Sequence, residues 1–85
     1  MKVIFHASFK KRFRALSPEE RHDFSERLPW FMKNRHHSFF RNYAVGRSYP
    51  GCRSVSITTG IRALYVFSGD TATFVLIGTH AELYG

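Results

Sequence analysis

Three β-prone runs in the second half of the chain are separated by very short breaks, and that spacing constrains the fold more than any other feature. Val55 and Ile57 alternate with Ser54, Ser56 and Thr58, as a half-exposed strand requires. Thr59-Gly60 then supplies a turn, Ile61 to Phe67 is β-rich, Ser68-Gly69-Asp70 turns the chain again, and Thr71 to Ile77 returns as a largely apolar, central strand. Connections this short join antiparallel neighbours, because a parallel crossover needs a dozen residues or more.

The first half reads differently. Val3 to Phe5 is a strand candidate, and Phe9, Phe13 and Leu16 recur at the spacing of a helix with one buried face. Lys10, Lys11, Arg12 and Arg14 fall mostly on its outer side. Ser17-Pro18-Glu19-Glu20 starts a second helix, with Ser17 as cap, Pro18 at the first helical position and Glu20 closing a capping box. Phe24, Leu28, Phe31 and Met32 would form its core face, and Pro29 predicts a kink or break near Leu28. Arg35 to Pro50 reads as a cation-rich loop ending in Tyr49-Pro50-Gly51, the residues of a type II turn. Core packing is expected for at least two of Trp30, Phe39 and Phe40, the remainder offering an apolar patch to a partner helix. The simplest architecture is α+β, in the order β-α-α-β-β-β, with two helices on one face of a mainly antiparallel sheet.

At 85 residues the chain is expected to form a single domain, 1–85, without a large core or a deep pocket. A formal charge of +7, from 13 Lys and Arg against 6 Asp and Glu, points to a polyanionic partner. Nucleic acid is favoured over membrane, since no run approaches the ~20 apolar residues of a spanning helix. The lone Cys52 and the absence of a hydrophobic leader at Met1 to His6 suit a reducing, cytoplasmic setting. His36-His37 and the distant His22 lack metal-ligand spacing, so neither a metal nor a cofactor is expected.

Gly51-Cys52-Arg53, Ile61-Arg62-Ala63-Leu64-Tyr65 and above all Gly78-Thr79-His80-Ala81-Glu82-Leu83-Tyr84-Gly85 resemble the RelE/ParE toxin superfamily, in its YafQ-like branch of ribosome-dependent mRNA interferases. The resemblance covers nearly the whole chain after the first strand and aligns without a gap from Asn42 to Gly85. It implies a RelE-like microbial RNase fold, type II toxin activity in which mRNA is cut in the ribosomal A site, and a cognate antitoxin. His80 is retained from the acid/base set of YafQ-like enzymes, whereas Tyr43 and Ser56 stand where they carry histidines and Gly60 where they carry aspartate.

Cleavage of this kind joins the ribose 2′-oxygen to the adjacent phosphorus and needs a proton acceptor, a proton donor and cations at the crowded phosphate. One imidazole fills one of those roles at a time. The resemblance implies His80 as acid or base, Arg53 and Arg62 as phosphate clamps near the turn of one hairpin, and Tyr84 as base-stacking residue or proton donor. Lys10, Lys11, Arg12, Arg14, Arg41 and Arg47, with Lys33 and Arg35, can track RNA phosphates, and the hydroxyls of Tyr43 and Ser56 can hydrogen-bond RNA. Loss of three acid/base positions keeps a second class open: a non-enzymatic toxin of the same fold acting on DNA gyrase, or a member that only binds RNA or its antitoxin.

Overall fold

In the computed structural model, which describes residues 1–85, the chain runs β1 (Lys2–Phe5), α1 (Ala7–Arg14), α2 (Pro18–Lys33), a short 3-10 helix (Ser38–Phe40), β2 (Tyr43–Ala44), β3 (Arg53–Ser56), β4 (Arg62–Ser68), β5 (Thr71–Gly78) and α3 (His80–Tyr84). One five-stranded sheet has the order β1-β5-β4-β3-β2. Only β1 runs parallel to its neighbour, β5; the other pairings are antiparallel. The α+β class and the sheet-forming second half are as the sequence predicts, with β5 flanked on both sides.

Four features lie outside that expectation. The 35–50 segment is not all loop, because Tyr43 and Ala44 pair with Ser54 and Arg53 at the sheet edge. The last residues form a short helix. Helix α2 continues through Pro29 to Lys33 without a break. Pro29 and Ser25, whose carbonyl loses its i+4 donor there, are both exposed, so water can take the orphaned acceptor while Phe24 and Phe31 stay buried on the opposite stripe. Met32, placed on the core face by its spacing, is 40% exposed.

The sheet is covered on both faces. Under α1 and α2, Phe9, Phe24, Phe31, Phe40, Tyr65 and Phe74 pack with Val55, Ala63 and Ile77. Phe31 meets the Tyr65 ring edge-on at 5.0 Å, a favourable arrangement for aromatic pairs. On the other face Leu64 packs with Val45, Cys52 and Leu83 beneath α3 and the 45–52 loop. This second layer buries Ser54 completely, where alternation alone predicts a solvent-facing serine. A register shift between Leu64 and Tyr65 leaves Val75 as an extra residue on β5, so that Ala72, Phe74 and Ile77 all reach the helix side despite their uneven spacing. The Tyr49-Pro50-Gly51 turn forms as predicted: Gly51 has φ +82° and the Cys52 amide bonds the Tyr49 carbonyl at 3.0 Å.

Because Pro29 lies on an exposed stripe of a continuous helix, Pro29→Ala is expected to stabilise the protein by roughly 1–3 kcal/mol through the restored amide donor. Chemical denaturation measures it; an unchanged or lower midpoint would show that α2 gains nothing from that donor.

Candidate functional site

The closing Gly-Thr-His-Ala-Glu-Leu segment builds a short, tightly specified platform. Thr79 caps α3: its hydroxyl accepts from the Glu82 amide at 3.1 Å, and the Glu82 carboxylate accepts from the Thr79 amide at 2.8 Å. Gly78 leaves room for this return, since a Cβ there would meet Glu82 Oε1 at 3.0 Å and the Glu82 Cβ at 3.3 Å. Leu83 anchors the helix in the second core. His80, at the first helical position, is thereby held exposed, with its ring 4.8 Å from that of Tyr84. The Thr79 amide first and its hydroxyl second, helped by the charge of Arg12 and opposed by burial, hold the Glu82 carboxyl below its ordinary value.

His80 and Tyr84 line an open depression of about 270 Å³ with Tyr43 and Arg47. Arg62, on β4, meets that depression through Tyr43. Its Nε donates to the buried Ser54 hydroxyl at 2.6 Å, its Nη2 donates to the Arg41 carbonyl at 3.0 Å, and its guanidinium lies 4.8 Å from the centre of the Tyr43 ring. Three partners thus fix the guanidinium plane and leave Nη1 without a protein acceptor. Arg41 presents its carbonyl from a left-handed backbone conformation, φ +44°, uncommon for a non-glycine residue. On the far side of Arg62 a second depression is lined by Arg27, Arg41, Ser56 and Thr58 among others. Tyr43, against which Arg62 lies, links the two into one strip of His80, Tyr84, Arg47, Tyr43, Arg62, Ser56 and Arg41, whose far end reaches Arg27 and Phe39 of the helical layer.

Arg53 is not in that strip. In the β3–β4 ladder Arg62 pairs with Ser56 and Arg53 pairs with Tyr65, three steps further from the turn. An odd number of steps reverses the face in a strand. Arg53 therefore lies on the helix side, its Nε donating to Asn42 Oδ1 at 2.7 Å, and it neither sits near the turn nor converges with Arg62 and His80. Lys10, Lys11 and Arg14 are exposed on α1 and outside the strip, as is the half-buried Arg12. The Ser56 hydroxyl donates to the Thr58 carbonyl at 2.9 Å, a bond that closes the β3–β4 turn. The Tyr84 hydroxyl is buried without a hydrogen-bond partner, and the ring packs against Tyr49 as well as His80. Its hydroxyl is placed as part of a packed wall, not as a donor facing the depression.

Ser54 and Asn42 are the residues that reading the sequence left without a role. Ser54 holds Arg62, and Asn42 ties Arg53 to the Tyr65 hydroxyl. The register reveals the first, and the packing of the 35–42 segment against Tyr65 reveals the second. Trp30 and Phe39, in edge-on contact at 6.0 Å, are 61% and 38% exposed, so of the three aromatics only Phe40 joins the core. No three His, Cys, Asp or Glu side chains gather as metal ligands, and no helix is long and apolar enough to cross a membrane.

No family model matches the sequence, and no curated protein matches it either. Solved structures do. The YafQ structure from E. coli superposes with a TM-score of 0.76 at 18% identity, over 99% of this chain and 98% of that one. YafQ in the E. coli DinJ-YafQ complex gives 0.77 at 18% identity over the same shares. The toxin-antitoxin complex RelBE2 from Mycobacterium tuberculosis gives 0.75 at 15% identity, over 93% and 96%. The fold is that of RelE/ParE-like toxins. Within that class the YafQ structures match this chain along almost its entire length.

The Tyr84 hydroxyl costs free energy where it sits, so Tyr84→Phe is expected to leave stability unchanged or raise it by about 1 kcal/mol; a substantially lower melting temperature would show that the hydroxyl has a partner. The lowered Glu82 pKa fixes a second expectation. A carboxylate held below its ordinary value of 4.5 contributes stability that is complete above that pH and lost as pH falls through the lower folded value. The amides of Glu82 and Leu83 should lose exchange protection in that acid range, and Glu82→Gln, which keeps the acceptor without titrating, should abolish the dependence.

Proposed function

We propose that the protein is the toxin of a type II toxin-antitoxin system and a ribosome-dependent endoribonuclease that inhibits translation from the cytoplasm. The observation that carries this reading is an imidazole mounted at the start of α3 in a depression it shares with Tyr43, the ring against which a guanidinium fixed by Ser54 and Arg41 lies. Proton transfer and charge stabilisation are the two things 2′-oxygen attack on phosphorus requires.

In this reading the free Nη1 of Arg62 faces the non-bridging oxygens of the scissile phosphate, with Arg41 and Arg47 along the flanking backbone. His80 takes the 2′-hydroxyl proton as the new O–P bond forms. The P–O5′ bond breaks and the departing O5′ takes a proton from water, leaving a 2′,3′-cyclic phosphate. The Tyr84 ring, beside His80, stacks on a base, and the exposed Tyr43 ring can do the same. Arg53, on the other face, takes no part. The exposed Trp30–Phe39 pair, with Arg27 5.5 Å from the Phe39 ring centre, offers an apolar surface with a basic rim to the antitoxin.

A second reading keeps the toxin and removes the chemistry, with gyrase as the target. The observation in its favour is that the strip holds one imidazole and no carboxylate, Ser56 being tied to a turn carbonyl. Primer extension on a defined transcript in a purified translation system separates the two. Cuts that need ribosomes and fall by about 100-fold or more in His80→Ala are expected. An intact transcript at high toxin dose, with supercoiling by gyrase blocked, would overturn the nuclease.

A further inference from the structure

All six side-chain carboxylates can be accounted for, and none of them neutralises Arg35 or Arg53. Asp70 pairs with the Met1 amino group, Asp23 with Arg27 and Glu26 with His22. Glu20 and Glu82 close capping boxes, and Glu19 lies in the first turn of α2. Of 13 Lys and Arg, only Arg27 lies within ion-pair distance of a carboxylate. Most of the others are exposed, whereas Arg35 and Arg53 are half-buried and hydrogen-bonded.

Both are wired to one buried phenol. Arg35 Nη1 donates to the Tyr65 hydroxyl at 3.0 Å, and its guanidinium lies 3.9 Å from the centre of the Phe67 ring. Asn42 Nδ2 donates to the same hydroxyl at 2.5 Å and to the Arg35 carbonyl at 3.0 Å, while its Oδ1 accepts from Arg53 Nε. Tyr65 has no exposed surface. The network spends one donor of each guanidinium and holds the two like charges against one depression of about 390 Å³, with His36 beside them and Gly46 and Gly51 on its rim. Burial, then the charges of Arg35 and Arg53, lower the His36 pKa. Two guanidiniums fixed in advance, without a counter-ion and with donors to spare, are organised for a group that has several anionic oxygens.

We propose that Arg35 and Arg53, positioned by Asn42 and Tyr65, form a second phosphate site at the β2 edge of the sheet, which adjoins the His80 depression at Ala44 and Gly46 but has its own guanidiniums, and that this site takes a backbone phosphate of RNA. A free phosphate offers the same oxygens, so the test has an arm for each source. The ¹⁵N-labelled protein is titrated with a short 2′-O-methylated RNA oligonucleotide, which cannot undergo 2′-oxygen attack, and separately with inorganic phosphate. The Nε–H signals of Arg35 and Arg53 and the amide of Gly51 should shift with the oligonucleotide at concentrations where inorganic phosphate leaves them in place. The same shifts should persist in Arg62→Gln, because Arg62 lies on the opposite face from Arg53 and outside this depression. Arg35→Gln with Arg53→Gln should weaken oligonucleotide binding several-fold and reduce the salt slope of log K by about 0.7 for the one phosphate lost.

Shifts confined to His80, Tyr43 and Arg62 would overturn this site while leaving the strip as the RNA contact. Shifts confined to Arg35 and Arg53 would support it and remove RNA from the strip. Equal response to inorganic phosphate at the same concentrations would overturn the RNA assignment in favour of a small phosphate. The wild-type titration decides between these outcomes even where the double variant does not fold.

Discussion

Pairing of β4 with β5 organises the rest of the molecule. Seven matched pairs from Arg62–Gly78 to Ser68–Thr71 place two long apolar strands side by side, and their side chains must leave water on both faces. One face is closed by α1 and α2 over the phenylalanine cluster around Phe74. The other has only Val45, Cys52, Tyr49 and α3 to cover Leu64 and Leu76. The need to close that second face draws the end of the chain back over the sheet, and His80 comes with it.

The helix that carries His80 is too short to be stable by itself, since an isolated helix of one or two turns does not repay its nucleation. Its stability comes from the reciprocal Thr79–Glu82 cap, the space left by Gly78 and the burial of Leu83. Gly78, Thr79, Glu82 and Leu83 each therefore have a structural reason to be there, and the exposed His80 is what those reasons present to solvent. Tyr84 completes the support as a wall between His80 and Tyr49.

Charge is distributed by the same economy. The few carboxylates are used as helix caps and local pairs, so the positive excess has no internal outlet. Arginines that must be ordered are ordered by neutral partners instead: Ser54, Tyr43 and the Arg41 carbonyl for Arg62, and Asn42 and Tyr65 for Arg35 and Arg53. A hydroxyl, an amide or a carbonyl orients a guanidinium without cancelling its charge. The protein thus keeps two rigid cationic positions, one on each face, available to an external anion.

Much of this was legible in the sequence. The turns at Thr59-Gly60, Tyr49-Pro50-Gly51 and Ser68-Gly69-Asp70, the capping box at Ser17 and the periods of the first helix and the last strands are local signals, and local chemistry suffices to specify them. The closing Gly-Thr-His segment likewise announced an unusual residue at position 80. The grouping of distant residues was not legible. Arg53 and Arg62 look equivalent in the sequence, and only the β3–β4 register, with its period of two, sends them to opposite faces. Ser54 reads as a solvent-facing serine until α3 and the 45–52 loop bury it beneath Arg62. Pro29 reads as a helix breaker until the fold turns it and Ser25 to water. The sequence by itself determined which segments become helices and strands and which side chains are charged. Tertiary structure alone decided which of those charges meet, because face and register depend on partners that are far away in the chain.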